Sequence, residues 1–140
     1  MKTQSGRSLI EMLGVLAVGA ILSVAAVRMY QNVRARQQRF EAEQDLKSLA
    51  ENARLIYSGR KNYAGISKSY LLKTGALKTE KIMGMDFSVA ASENGKSFSI
   101  VFGDIGESDC AYFSLKKFDW AASIDAKCAA APRKLAFNIK

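Results

Sequence analysis

Few side chains in this 140-residue sequence are of types that do chemistry, and their spacing narrows what that chemistry is. There is no histidine, which excludes imidazole acid–base catalysis and histidine metal ligation. The two cysteines, Cys110 and Cys128, stand 18 positions apart. A metal site would need further soft ligands. In a head lying outside the cytoplasm an isolated pair reads instead as one disulfide, closing a loop that the chain-entropy model credits with about 3 kcal/mol. Asp104, Glu107 and Asp109 crowd the stretch GDIGESD and are the carboxylates best placed for Ca²⁺. Their spacing lacks the EF-hand pattern, and a solvated loop with Asp109 capping the helix that follows is the plainer reading. No nucleophile beside a base, and no paired carboxylates in a recognisable cleft motif, can be picked out. The chain reads as a protein without catalysis of its own, with no cofactor and no metal. One charge remains to be explained, Glu11.

Glu11 stands near the start of an apolar run, Leu9 to Val27 (LIEMLGVLAVGAILSVAAV). As a helix rising about 1.5 Å per residue the run spans about 28 Å, close to the hydrocarbon thickness of a bilayer. A carboxylate there costs a few kcal/mol or more and is kept where a partner or function requires it. Two simpler readings compete with a functional membrane helix. A secretory signal peptide has a basic start and an apolar core, and Ser23–Ala26 offers small residues for cleavage, but the run exceeds the usual core of about 7–15 residues. A plain single-span anchor leaves Gly6 and Glu11 unexplained. Beyond the run, about 110 residues remain, enough for one water-soluble head. The net charge of +8 favours anionic surfaces such as lipid, polysaccharide or DNA without choosing among them.

A short leader with Lys2, a Gly five positions before a Glu, and an uninterrupted apolar helix together resemble the start of a type IV prepilin. In that resemblance Gly6 is the last leader residue, Arg7 the first mature residue, and Glu11 the glutamate at mature position five. Arg7 departs from the family's usual Phe or other apolar residue. The resemblance implies insertion in the inner membrane as a precursor, cleavage by a prepilin peptidase after Gly6, and N-methylation of Arg7. It further implies assembly of copies of the chain into a helical filament on a bacterial surface, driven by an assembly platform and a motor ATPase. Glu11 would there neutralise the terminal amine of a neighbouring subunit, since either charge alone in an apolar core is expensive.

Helix can continue past Val27, because no Pro or Gly occurs between Arg28 and Tyr57 and the residues are good helix formers. Met29, Val33, Phe40, Leu46, Leu49, Ala50, Ala53 and Ile56 are read as one buried stripe, so that residues 8–57 make a rod of about 75 Å. Gly14 and Gly19 permit close helix approach or local unwinding. Arg28, Arg34, Arg36 and Arg39 cluster beyond the apolar run, a pattern that usually marks a cytoplasmic side, whereas Lys2 and Arg7 mark the other end. In a filament these arginines could pair with Glu41, Glu43 or Asp45. After a loop at Tyr57–Asn62, a short helix is expected within 66–77, ending near Gly75. Phe87–Ser92 and Phe98–Phe102 alternate as strands around the hairpin signal Asn94-Gly95. A helix is expected over 110–118 with Trp120 packing nearby, then a turn at 129–132 and a last strand at 135–139.

The expected class is α+β: a long N-terminal helix packed on a mainly antiparallel sheet, closed by a C-terminal disulfide, resembling the pilin ladle. The divisions are a leader (1–6), the long helix (7–57, with 9–27 in membrane or filament core) and a globular head (58–140). A helix inside the disulfide loop leans toward the type IVb subgroup, and the short leader toward type IVa. The function implied is a structural subunit of a type IV pilus. The alternatives are a minor pilin, a type II secretion pseudopilin, or a pilus-associated subunit binding DNA or a host surface through Lys116, Lys117 or Lys134.

Overall fold

The computed structural model describes the backbone of residues 4–140 and the side chains of residues 8–140. Lys2 of the expected leader lies outside the described residues, and Gly6 and Arg7 are described in backbone only. The elements run α1 (Gln4–Tyr57), α2 (Lys68–Lys73), β1 (Phe87–Ala91), β2 (Phe98–Phe102), α3 (Glu107–Leu115), β3 (Ser123–Lys127) and β4 (Lys134–Ile139). This is an α+β chain with one long apolar N-terminal helix and a small antiparallel sheet. It divides within α1 into two compact units, residues 1–38 and residues 39–140.

In the second unit α1 buries Ala42, Leu46, Leu49, Ala50, Ala53 and Tyr57. At about 100° per residue these fall on one face, the amphipathic pattern that lets a helix join a core. Met29, Val33 and Phe40, expected in the same stripe, are instead exposed at 70%, 57% and 58%. Phe40 falls about 130° from the centre of the buried face by the same angular count, and Met29 and Val33 belong to the first unit. Helical spacing groups residues on faces but does not say which face the rest of the chain covers.

The sheet has strand order β1-β2-β4-β3, every pair antiparallel. Its inner face is set by alternation. Phe87 pairs with Phe102 and Val89 with Ile100, while Phe98, Ile100 and Phe102 pair in turn with Ile139, Phe137 and Leu135. All eight are buried and join the α1 residues in one core. A one-residue slip would turn the whole set outward, so burial itself holds the register. Strand β3 was not foreseen. Of its residues only Ile124 is partly buried, opposite Phe137, so the segment lacks the alternation that betrays a half-buried strand. Asp125 and Lys127 blunt this exposed edge, and a bridge from Ser67 to Ala90 touches the opposite edge at β1.

The caps follow local chemistry. Ser67 accepts a hydrogen bond from the Tyr70 amide at the start of α2, and Gly75 follows at φ +73. Helix α3 begins at Glu107, earlier than expected, with Gly106 at the cap and Glu107 and Asp109 in its positive first turn. Asp109 is therefore not the cap. Its Cys110, fully buried, is joined in a disulfide to Cys128 just past β3, with the two Cα atoms 5.8 Å apart.

The β1–β2 turn also anchors the loop after α1. The Tyr63 amide donates to the Gly95 carbonyl at 2.7 Å. Gly95 has φ +66, and a Cβ there would stand 3.0 Å from the Cβ of Asn62. Gly95→Ala is expected to lower stability by about 1–2 kcal/mol through left-handed strain and this close approach. Urea unfolding of the full chain in detergent reads it, and an unmoved midpoint would show that the turn and loop adjust without strain.

Candidate assembly surface

The first unit presents a surface that water does not tolerate. Between Leu9 and Val27 the large apolar side chains are exposed all round the helix, from 54% at Val27 to 71% at Ile10. The segment contains an 18-residue window of mean hydropathy 2.3, long and apolar enough to cross a membrane. A helix apolar on every side needs lipid or other helices around it. Only two side chains in the run are polar. Ser23 satisfies itself by donating to the Gly19 carbonyl at 2.8 Å, the usual back-bond of a hydroxyl in an apolar helix. Glu11 is exposed among Leu9, Ile10, Met12 and Leu13, so its carboxylate enters whatever medium covers them.

In the second unit the expected charges are brought together in a different way. Arg39 donates from Nε to Asp109 Oδ1 at 2.7 Å, and its guanidinium lies 5.1 Å from the centre of the Tyr112 ring. One helical turn on, Glu43 accepts from the Tyr112 hydroxyl at 2.7 Å and from Lys116 Nζ at 2.6 and 2.7 Å. Arg39 and Glu43 of α1 thus hold α3 within the head, and neither is left over for a neighbour as its first partner. Glu107 is likewise taken by Arg133 at 3.0 Å, so two of the three carboxylates in the acidic loop already face arginines rather than an open cation site. Lys68 bonds Asp86, whose carboxyl is held below its ordinary range by that hydrogen bond first and by the Phe87 amide second.

The hydrogen bond from Lys116 to Glu43 raises the Lys116 pKa above its ordinary value, with the Tyr112 hydroxyl adding to it against partial desolvation. A raised folded-state pKa means the contact stabilises the fold below the unfolded value near 10.5 and is lost as pH rises through the folded value. Lys116→Met is therefore expected to flatten the alkaline limb of a thermal-midpoint profile relative to the parent, by at most about 1 kcal/mol because the pair is partly exposed. Identical limbs in the two proteins would show that the contact carries no folding free energy.

Two of the three candidate DNA-facing lysines, Lys116 and Lys117, line one recess, and Lys134 does not line it. Lys116 is held by Glu43, Lys117 lies beside it on a recess shared with Lys47 and Arg54, and Lys134 begins β4 opposite Lys127. Two residues escaped sequence reasoning. Arg54 donates to the carbonyls of Lys140 and Trp120 at 2.8 and 3.0 Å, and Arg133 donates to the Cys128 carbonyl at 3.1 Å. Neither is marked by a motif, because a guanidinium aimed at backbone oxygens leaves no spacing signature. Comparison with protein-family models, with curated proteins and with solved structures finds no match to this chain. Function therefore rests on the residues themselves.

Proposed function

We propose that the chain is a structural subunit of a type IV pilus, made as a membrane-inserted precursor and built into a helical filament through α1. Prepilin peptidase cuts between Gly6 and Arg7, the amine of Arg7 is methylated, and the apolar segment passes from lipid to the company of other copies. The observation that carries this reading is Glu11: one carboxylate in the run Leu9–Val27, whose large apolar side chains are exposed on every side. Lipid alone gives that charge no partner, whereas a neighbouring copy's terminal amine does. Beyond the span Met29, Val33 and Phe40 are also exposed apolar side chains, which supports the same reading. Glycines at 14 and 19 have open space around them, which lets helices approach closely. The disulfide-closed head would be carried outside the cytoplasm, where such a bond persists.

Intact-mass analysis and N-terminal sequencing of protein from sheared surface filaments and from membranes test the proposal. It predicts a chain beginning at N-methylated Arg7 that dominates the sheared fraction. A chain beginning near Val27, or one still carrying Met1 in every fraction, would overturn it.

A further inference from the structure

At the C-terminal end of α1 the loop through Tyr63 and the β1–β2 turn enclose a recess of about 440 Å³. Four cations line it, Arg54, Arg60, Lys61 and Lys96, and no carboxylate does. Several other cations of the head meet acids: Arg39 with Asp109, Lys68 with Asp86, Lys116 with Glu43, Arg133 with Glu107. Among the described residues none of the four recess cations pairs with an acidic side chain. Arg54 is committed to backbone carbonyls, and Arg60 lies over the rings of Tyr57 and Tyr70 at 5.0 and 5.8 Å. Like charges gathered without counter-charges repel one another, a standing cost that an anion in their midst would relieve.

A second observation points to a ligand at the same place. Tyr57 also lines the recess, is only 3% exposed, and its hydroxyl is buried without a hydrogen-bond partner. Burial raises its pKa, so it stays a protonated donor. A buried donor without an acceptor costs about 1–3 kcal/mol, which an incoming oxygen recovers. Arg60, an exposed loop side chain, lies over the Tyr57 ring and donates to the Tyr70 hydroxyl at 3.3 Å.

We propose that this recess binds a sugar carrying one negative group, a phosphate or a carboxylate. Its volume lies in the range of small-ligand sites, well above what a bare oxyanion fills. Arg60, Lys61 and Lys96 take the anionic group, while Ser58 and Asn62 on the rim offer hydrogen bonds to sugar hydroxyls. Nucleobase stacking is disfavoured, because Tyr57 and Tyr63 are already packed on each other at 5.5 Å and Tyr63 on Phe98 at 4.9 Å.

Titration of the full chain in detergent micelles with glucose 6-phosphate, followed by amide NMR, tests it. Saturable shifts at Lys61, Tyr63 and Lys96 are expected, with none from glucose. Lys61→Gln combined with Lys96→Gln is expected to weaken binding about tenfold or more, from two lost charge-assisted contacts. Tyr57→Phe is expected to weaken it about three- to tenfold without lowering the thermal midpoint, since it removes a donor and leaves the ring. Absence of saturable shifts, or unchanged affinity in the lysine double variant, would overturn the site. Inorganic phosphate binding as tightly as the sugar phosphate would overturn the sugar assignment, and a DNA duplex displacing it with steep salt dependence would replace the recess by a polyanion surface.

Discussion

On the proposed filament reading, Glu11→Val is expected to leave the precursor inserted and cleaved but to lower its recovery in sheared surface filaments by about two orders of magnitude. In the proposed pathway the peptidase acts at Gly6–Arg7, upstream of the substitution, and valine only makes the segment more apolar, so insertion and cleavage are expected to be retained. Assembly is different. In the proposed filament the carboxylate and a neighbour's terminal amine enter an apolar core together, and removing one leaves the other buried and unpaired. Breaking a buried pair in this way costs about 3–5 kcal/mol, or about 100-fold or more in an association equilibrium. The neighbours of Glu11 are exposed apolar side chains, from 57% at Leu13 to 71% at Ile10, which need apolar surroundings. Immunoblots of sheared and membrane fractions, with the N-terminus of each determined, separate assembly from processing. Normal filaments from the variant would remove the pairing argument, and loss of cleavage would move the role of Glu11 to the precursor.

Phe137→Ala is expected to destabilise the head by about 3–5 kcal/mol, the range for emptying a fully buried aromatic site. Phe137 has no exposed surface and lies at the middle of β4, paired with Ile100 on one side and Ile124 on the other. Its ring meets Phe102, Phe113, Phe118 and Trp120 at centroid distances of 5.3–6.3 Å. These partners come from β2, α3 and the loop after it, so the cavity would open where the sheet, the disulfide-tied helix and the Trp120 segment converge. Against a total stability of about 5–15 kcal/mol for a domain of this size, the loss is severe. Urea unfolding followed through Trp120 fluorescence measures it directly. A shift below about 1 kcal/mol would mean that the neighbouring rings collapse into the space.

The sheet's inner alternation, its Asn-Gly turn and the stop at Gly75 were readable because each depends on residues close together in sequence. Strand β3 and the start of α3 were not. SIDAK holds its place by pairing with β4 rather than by burying a face, and Gly106 starts α3 without a side-chain cap to announce it. Asp109 shows the difference most plainly. Its sequence neighbours make it a cap, but Arg39, 70 positions away, claims its carboxylate.

By itself, the sequence determined the apolar span, the lone Glu11 within it, the Gly6–Arg7 setting upstream, the absence of histidine and most of the sheet's inner face. Composition and short-range periodicity carry all of these, because membrane transfer and strand alternation depend on local residue types. The tertiary structure decided which residues of α1 the head buries, that Arg39 engages Asp109 and Lys116 engages Glu43, and that Arg54, Tyr57, Arg60, Lys61 and Lys96 line one recess with no acidic side chain. Those outcomes join residues tens of positions apart through burial and charge, and local sequence does not encode such contacts in any spacing.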